Sequence, residues 1–405
     1  MLNSVIIKGM KVLFIRLFES YFDRTVPEGM KRLGWEVDEE VFFTPQDQTN
    51  DPKLQQLVHD RLEKMSGGWD FCFTVNFWPV LAPVLEDLGI RYVSWSYDAP
   101  LNFVGTPEME RANNYIFLFD RGQVRDYRSQ GVTRVWHLPL ATDPDIFSGE
   151  IEKNREKYSD CGVSFIGSFY YSPYTSVVSQ IGGHLRGYLD GVLEAQKNLQ
   201  GGYILPELVT DDIVSQVNAD LTKDKSQSAE IFAGNVTRQN LIYAMATRIT
   251  CIDRLTLLTL ASGLANTVIY TSNKPEELAS VLHQAQINGP VDYFTEMPVI
   301  FNRSRINLCP TLRCITTGIP LRAIDIMACH GVVLLPLSEE SAEYFESGTD
   351  SLLYSSCDEA YDLMKFYLAN DDLLEKIRDN AYAKIKRDFT MEERLRTIER
   401  TINDN

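Results

Sequence analysis

The chain is poor in the residues from which metal centres and disulfide frameworks are built. Five histidines are spread through 405 residues, too few and too scattered for a His-rich metal site. Seven cysteines, at 72, 161, 251, 309, 314, 329 and 357, form an odd set without a Cys-x-x-Cys pair. Several sit in apolar runs (Cys72 in FCFTV, Cys329 in IMACHG), where reduced, buried thiols are found in cytosolic proteins. Positive charge is also scarce: 39 Lys and Arg stand against 56 Asp and Glu, a formal charge of −17. Such a field repels a phosphate backbone and argues against nucleic-acid binding. It equally opposes an anionic nucleotide, so a phosphate site has to be local, made of a few arginines, backbone N–H groups and helix N-termini. No stretch approaches the roughly 20 apolar residues of a membrane span. The opening MLNSVIIKGMKVLFIRLF contains Lys8 and Lys11 and no small-residue cleavage site, so it reads as the approach to a first strand. These features lead us to expect a cytoplasmic protein with no stable membrane insertion.

What is present is an ordinary globular composition, 44% hydrophobic and 23% charged, in a chain long enough for two domains. Strand patterns at Lys11–Arg16, Glu36–Phe43 (the alternating EVDEEVFF), Trp69–Asn76, Ile90–Tyr97, Asn114–Phe119 and Val135–Leu140 alternate with helical periods at Pro27–Gly34, Pro52–Met65 and Val80–Leu88. That alternation predicts a parallel sheet covered on both faces. We therefore expect a first α/β domain over 1–147, a polar linker over 148–160, and a second α/β domain over 161–388. A helical insertion is expected at about 171–260. Further strands are expected at Gly162–Gly167, Thr267–Thr271, Val299–Leu308 and Gly331–Leu335, with helices at Pro275–Gln286 and Leu321–Cys329. A charged helix closes the chain, and its residues 389–405 are expected to return to the first domain. Two doubly wound domains facing across a cleft can enclose two substrates for group transfer.

The densest chemistry lies between Asn288 and Gly348. It contains Ile306-Asn307-Leu308, Thr311-Leu312-Arg313, Gly318-Ile319-Pro320-Leu321-Arg322 and Asp325-Ile326-Met327-Ala328-Cys329-His330-Gly331. In this order the segments resemble the bacterial group 1 glycosyltransferases of the GT-B fold, in particular the spore-maturation-protein-like branch. HLPLATDPDIF (137–147) and FIGSFY (165–170) resemble that fold's interdomain element and the first strand and loop of its second domain. The resemblance implies a GT-B fold of two tandem Rossmann-like domains and sugar transfer from a nucleotide-diphosphate sugar to a carbohydrate, protein or small-molecule acceptor. It further implies retention at the anomeric carbon and no cofactor or metal, the nucleotide sugar being a co-substrate. In that group two acids with seven residues between them span this helix. Here the second is Asp325, and Thr317 stands where the first would be.

The residues support these roles chemically. Asp325, on a helix after a Gly-Ile-Pro turn, can accept both ribose hydroxyls, although a solvated helix position is the structural alternative. Arg313 and Arg322 offer planar forks suited to diphosphate oxygens, and Arg322 can stabilise the leaving group; an ion pair with Asp325 or Asp292 is the alternative for either. Gly167, beside Ser168, permits close approach of a ligand to backbone. Thr311 and Gly318 belong to the matched segments, and Tyr293 is placed either to stack on a base or to pack. In the first domain Asp98 follows a strand and can orient or deprotonate an acceptor hydroxyl, or cap a following helix. Asn76, Glu19 and Tyr21 are further acceptor-side candidates; Asp120 reads as a helix cap, and His137 and His330 as structural. Two other functions remain open: a nucleotide-sugar or saccharide binding protein without turnover, and a nucleotide-sugar epimerase.

Overall fold

A computed structural model describes residues 9–101, 107–170, 172–222 and 236–404. Two units separate by their internal packing: Met1–Asp143 with Arg387–Asn405, and Pro144–Lys386. In the first, β1 (Lys11–Arg16), β2 (Glu36–Val41), β3 (Phe71–Val75), β4 (Tyr92–Ser96), β5 (Asn114–Leu118) and β6 (Val135–His137) pair in parallel in the order β2-β1-β3-β4-β5-β6. β3, β4 and β5 are buried along their whole length, as continuous apolar runs require when helices cover both faces. β2, EVDEEV, lies at the edge and is largely exposed. The order reverses at β1, whose neighbours are β2 and β3. This creates a crevice at the carboxyl ends of β1 and β3.

The last helix, Met391–Asp404, belongs to this unit and packs on helix Phe22–Arg32. The approach is close: a Cβ on Gly29 would come within 2.5 Å of Met391 Cγ. Arg32 ties it further, bonding to Glu392 and lying 2.7 Å from Asp143. The charged C-terminal segment is two helices rather than one, Asp371–Asp388 and Met391–Asp404. They break where the Thr142 N–H donates to the Phe389 carbonyl at 3.1 Å.

The second unit contains β7 (Cys161–Ile166), β8 (Thr267–Tyr270), β9 (Gln286–Asn288), β10 (Ser304–Leu308), β11 (Val333–Pro336) and β12 (Leu352–Tyr354), parallel in the order β12-β11-β10-β7-β8-β9. Here the reversal falls between β7 and β10. Between β7 and β8 lie helices Tyr174–Val178, Gly183–Lys197, Leu205–Leu208, Asp211–Leu221 and Arg238–Leu264, which bury a core of their own around Leu189, Leu193, Val217, Leu241 and Met245. Within the expected insertion, 171 and 223–235 lie outside the described residues, as do 1–8 of the N-terminal approach. No helix among the described residues is long and apolar enough to cross a membrane.

Three expectations need correction. The stretch read as a linker is helical over Pro144–Asn154 and packs on helix Met297–Arg303, because Phe147 and Asn154 turn inward from an otherwise polar sequence. Met297–Arg303 is itself helical, so the apolar run expected as one strand from Val299 divides into a helix and β10. The helix expected to reach Gln286 ends at Ala279, leaving β9 at Gln286–Asn288.

Candidate functional site

At the reversal point of the second unit, β7 ends at Ile166 and the chain turns through Gly167 and Ser168. A Cβ on Gly167 would meet the Phe165 ring at 2.9 Å. Asn273 Oδ1 accepts from the Phe169 N–H at 2.8 Å and holds the loop. Beneath it lies Arg254, which the sequence reading did not single out. Its guanidinium donates to the Ser168 carbonyl and, at 2.9 Å, to the Pro310 carbonyl beyond β10. It also lies 4.7 Å from the Tyr170 ring and 5.3 Å from the Phe165 ring. Burial lowers its pKa, and the positive charge of Arg322 adds to that lowering, so the two guanidiniums share one neighbourhood. Arg322 is in the first turn of helix Leu321–Ala328, against the Met297 sulfur and 5.8 Å from the Phe301 ring. Among the described ion pairs, neither Arg254 nor Arg322 is joined to a carboxylate.

Asp325, on the same helix, is fully buried, and the Tyr293 hydroxyl donates to its Oδ2 at 2.7 Å. Burial first, and then the Asp325 charge, push the Tyr293 phenol far above its ordinary value. The Tyr293 ring stands edge-on to Phe147 at 6.0 Å and to Phe294 at 4.9 Å. In this state it packs rather than offering an open stacking face. Thr317 donates to Glu340 Oε1 at 2.9 Å, and its carbonyl accepts from the Ser338 hydroxyl at 2.9 Å. The buried carboxylate beside Thr317 therefore comes from Glu340, 23 residues later.

Arg313 is occupied otherwise than the sequence suggested. Its Nε lies 2.6 Å from Asp253, and its two terminal nitrogens donate to the carbonyls of Leu199 at 2.8 Å and Lys197 at 3.1 Å. Its partner is neither Asp325 nor Asp292, and its fork is committed to the helical insertion. Burial lifts the Asp253 carboxyl above its ordinary value, although Arg313 works against that. Arg313, Thr311 and Gly318 line an open pocket at the carboxyl ends of β10, β11 and β12. The signal for Arg254 and Asp253 was present in ITCIDRLTLL: two adjacent charges on a helix whose neighbours Ile249, Leu257 and Leu258 are all buried.

In the first unit, Asn76 follows β3 with φ +59°, a conformation that asparagine tolerates better than most residues. Its amide donates to Asp98 Oδ2 at 2.7 Å and accepts from the Tyr97 N–H at 3.1 Å. Asp98 and Asn76 share a pocket of about 250 Å³ with Phe18, Thr44, Trp78 and Leu101, at the crevice where the strand order reverses. Glu19 and Tyr21 are exposed on the loop after β1. Asp120 caps helix Arg121–Ser129 through the Gly122 N–H at 2.8 Å. His330 stacks on Tyr382 at 3.7 Å. No group of three or more His, Cys, Asp or Glu among the described residues is arranged to hold a metal ion.

Two parallel six-stranded sheets, each with its reversal point, define an α/β chain of the GT-B class. Residues 256–400 match a family model described as glycosyl transferase-like. No curated protein matches the chain. Among solved structures it resembles a sucrose-phosphate synthase from Thermosynechococcus elongatus, with TM-score 0.59 and 11% identity over 98% of both chains. It also resembles a glycosyltransferase from Rickettsia africae, with TM-score 0.57 and 10% identity over 98% of both. Anabaena HepE, solved with UDP and glucose, matches with TM-score 0.55 and 13% identity over 98% of this chain and 100% of that one. The chain is thus of the glycosyltransferase type in fold, and its C-terminal third carries that family's sequence signature.

Proposed function

We propose that the chain transfers a sugar from a UDP-sugar to a hydroxyl-bearing acceptor, with retention at the anomeric carbon and without a metal ion. The observation that carries this reading is the pair Arg254 and Arg322: two cations near one another at a strand-order reversal, bonded to carbonyls, sulfur and rings rather than to carboxylates. Like charges held together in low dielectric favour an anion between or beside them. A diphosphate meets that demand, and helix Leu321–Ala328 adds the positive end of its dipole. The bond that breaks joins the anomeric carbon to the phosphate oxygen, and the charge left on the diphosphate falls on Arg322.

In this reading Asp325 takes the ribose hydroxyls once the Tyr293 hydroxyl has given way. Asp98, held by Asn76, orients the acceptor hydroxyl for attack from the face that the diphosphate leaves, and the departing phosphate oxygen takes the hydroxyl proton as the new glycosidic bond forms. Uridine is favoured by the similarity to HepE, whose structures contain UDP and UDP-glucose. Retention is favoured by the similarity to a trehalose-6-phosphate synthase studied for transfer with retention. Seven cysteines that form no disulfide suit a reducing compartment, and we place the reaction in the cytoplasm. Thr317 at the position of an expected acid favours a second reading, a nucleotide-sugar binder without turnover.

Thermal melts with UDP-, GDP- and dTDP-sugars test the proposal. The fitting donor should raise the melting temperature with concentration, by about 2.7 kcal/mol of stability at a hundredfold excess over Kd. Arg322→Ala should weaken that binding by at least tenfold. UDP release in the presence of acceptor extracts separates turnover from silent binding. If no nucleotide sugar shifts the melt of the wild type, the proposal fails.

A further inference from the structure

We infer that the helical insertion selects the sugar of the donor: the loop 198–204 walls a subsite that admits an uncharged hexose and disfavours a uronic acid. The inference rests on the donor reading above and adds to it which part of this chain reads the sugar.

The loop is built rather than merely connecting. Buried Gln196 donates to the Leu199 carbonyl at 3.4 Å and the Gly202 carbonyl at 2.8 Å, and accepts from the Ile204 N–H at 2.7 Å. Arg313 adds its bonds to the Lys197 and Leu199 carbonyls from the opposite side. Gly201 turns the chain at φ +72°, a left-handed conformation that favours glycine. Five side-chain bonds thus fix a short loop that has no strand or helix ladder of its own.

What the loop faces indicates its ligand. Gln200, Gly201, Gly202 and Tyr203 form one wall of this open pocket, and Thr311, Thr316 and Ser338 add hydroxyls from the sheet side. The pocket adjoins the two guanidiniums. Its Pro310 supplies the carbonyl held by Arg254, and its Pro320 precedes the helix that bears Arg322. A group attached to a diphosphate held there extends into this space. The charged residues of the lining are Asp253 and Arg313, bonded to one another at 2.6 Å. Arg313 is therefore already matched, and a sugar carboxylate would meet Asp253 without a new cation. Amide and hydroxyl groups instead match the hydroxyls of a neutral hexose. Arg313 acts here as a positioning residue, through the loop it anchors.

Calorimetry on the full chain with UDP, UDP-glucose, UDP-galactose and UDP-glucuronate tests this, using the wild type, Gln200→Ala at the pocket surface and Gln196→Ala, which releases the loop. The wild type is expected to bind at least one neutral UDP-hexose more tightly than UDP, and at least tenfold more tightly than UDP-glucuronate. Gln200→Ala should remove about a fivefold part of the hexose-over-UDP ratio, the scale of one hydrogen bond. Its UDP affinity should stay unchanged. Gln196→Ala should lower the same ratio if a melt shows it folded. If the wild type binds UDP but both ratios are unaltered in Gln200→Ala, or if it binds UDP-glucuronate as tightly as the hexoses, the inference is overturned and the donor reading stands. If the wild type does not bind UDP, both fall.

Discussion

Replacing Arg313 with Met should destabilise the second unit strongly, and more so at high pH than at low. The side chains of Arg313 and Asp253 are 8% and 10% exposed, so solvent screens their attraction little. Removing one partner of a buried pair costs about 3–5 kcal/mol, because it leaves the other charge uncompensated. Arg313 also serves the Lys197 and Leu199 carbonyls, which places the expected loss in the upper part of that range. The sign of the pH dependence follows from Asp253. Burial already raises its pKa above the unfolded value near 3.8, and Arg313 opposes the rise; without Arg313 it climbs further. An acid with a raised folded pKa has its full stabilising contribution below the unfolded value and loses it as pH rises through the folded value. The variant should therefore recover part of its lost stability at pH 5 relative to pH 8. Urea melts at both values, following the transition of the second unit, read this directly. Arg313→Met/Asp253→Asn should regain stability over the single variant. A loss below about 1 kcal/mol, equal at both pH values, would refute the view of Arg313 as a buried strut.

Tyr293→Phe should lower the stability of the unliganded protein by about 1.5–3 kcal/mol, the scale of a hydrogen bond to a charged group, while leaving donor affinity undiminished. A tenfold weaker donor Kd by calorimetry would show instead that the hydroxyl stays on Asp325 in the complex. Burial lowers the pKa of His330 below 6.5, with Asp379, Glu375, Arg378 and Lys386 around it. The neutral ring is thus the folded form, and its contribution, full above pH 6.5, should be lost as pH falls through the folded value; an NMR titration of His330 at or above 6.5 contradicts this. Gly29→Leu should cost about 1–3 kcal/mol by overpacking against Met391, seen in a thermal melt of the first unit, and no change would mean that the last helix shifts freely.

Much of the fold was legible because buried parallel strands are continuous apolar runs, and β3, β4 and β5 show this plainly. β9 and β12 were harder. At three residues each, they are too short for any period to declare itself, and only neighbouring strands define them. Parts of the matched motif proved to be architecture. Asn307 is buried and accepts from the Ser164 hydroxyl at 2.7 Å, joining β10 to β7. A Cβ on Gly331 would lie 2.9 Å from the Asn307 amide. The motif thus located the right corner of the sheet without distinguishing ligand contacts from packing. Arg254, Asp253 and Glu340 escaped notice because each acts on a partner far away in the sequence, 56, 60 and 23 residues off. Spacing along the chain cannot announce such pairs.

The charge of the whole chain and the charge of the site pull in opposite directions, and that opposition can be measured. With a formal charge of −17, the long-range field repels a nucleoside diphosphate, and salt screens that repulsion beyond about 8–10 Å. The attraction we assign to Arg254 and Arg322 is short-range. Arg254 in particular is almost fully buried, where mobile ions screen little. Raising salt should therefore weaken the opposing term more than the favourable one. UDP affinity should stay level or rise slightly between 50 and 500 mM NaCl, the reverse of a protein whose anion affinity comes from a diffuse basic surface. Calorimetric titration across that range is the measurement. A tenfold or greater loss of affinity would mean that exposed cations hold the diphosphate, and that Arg254 and Arg322 at the β7–β10 reversal do not.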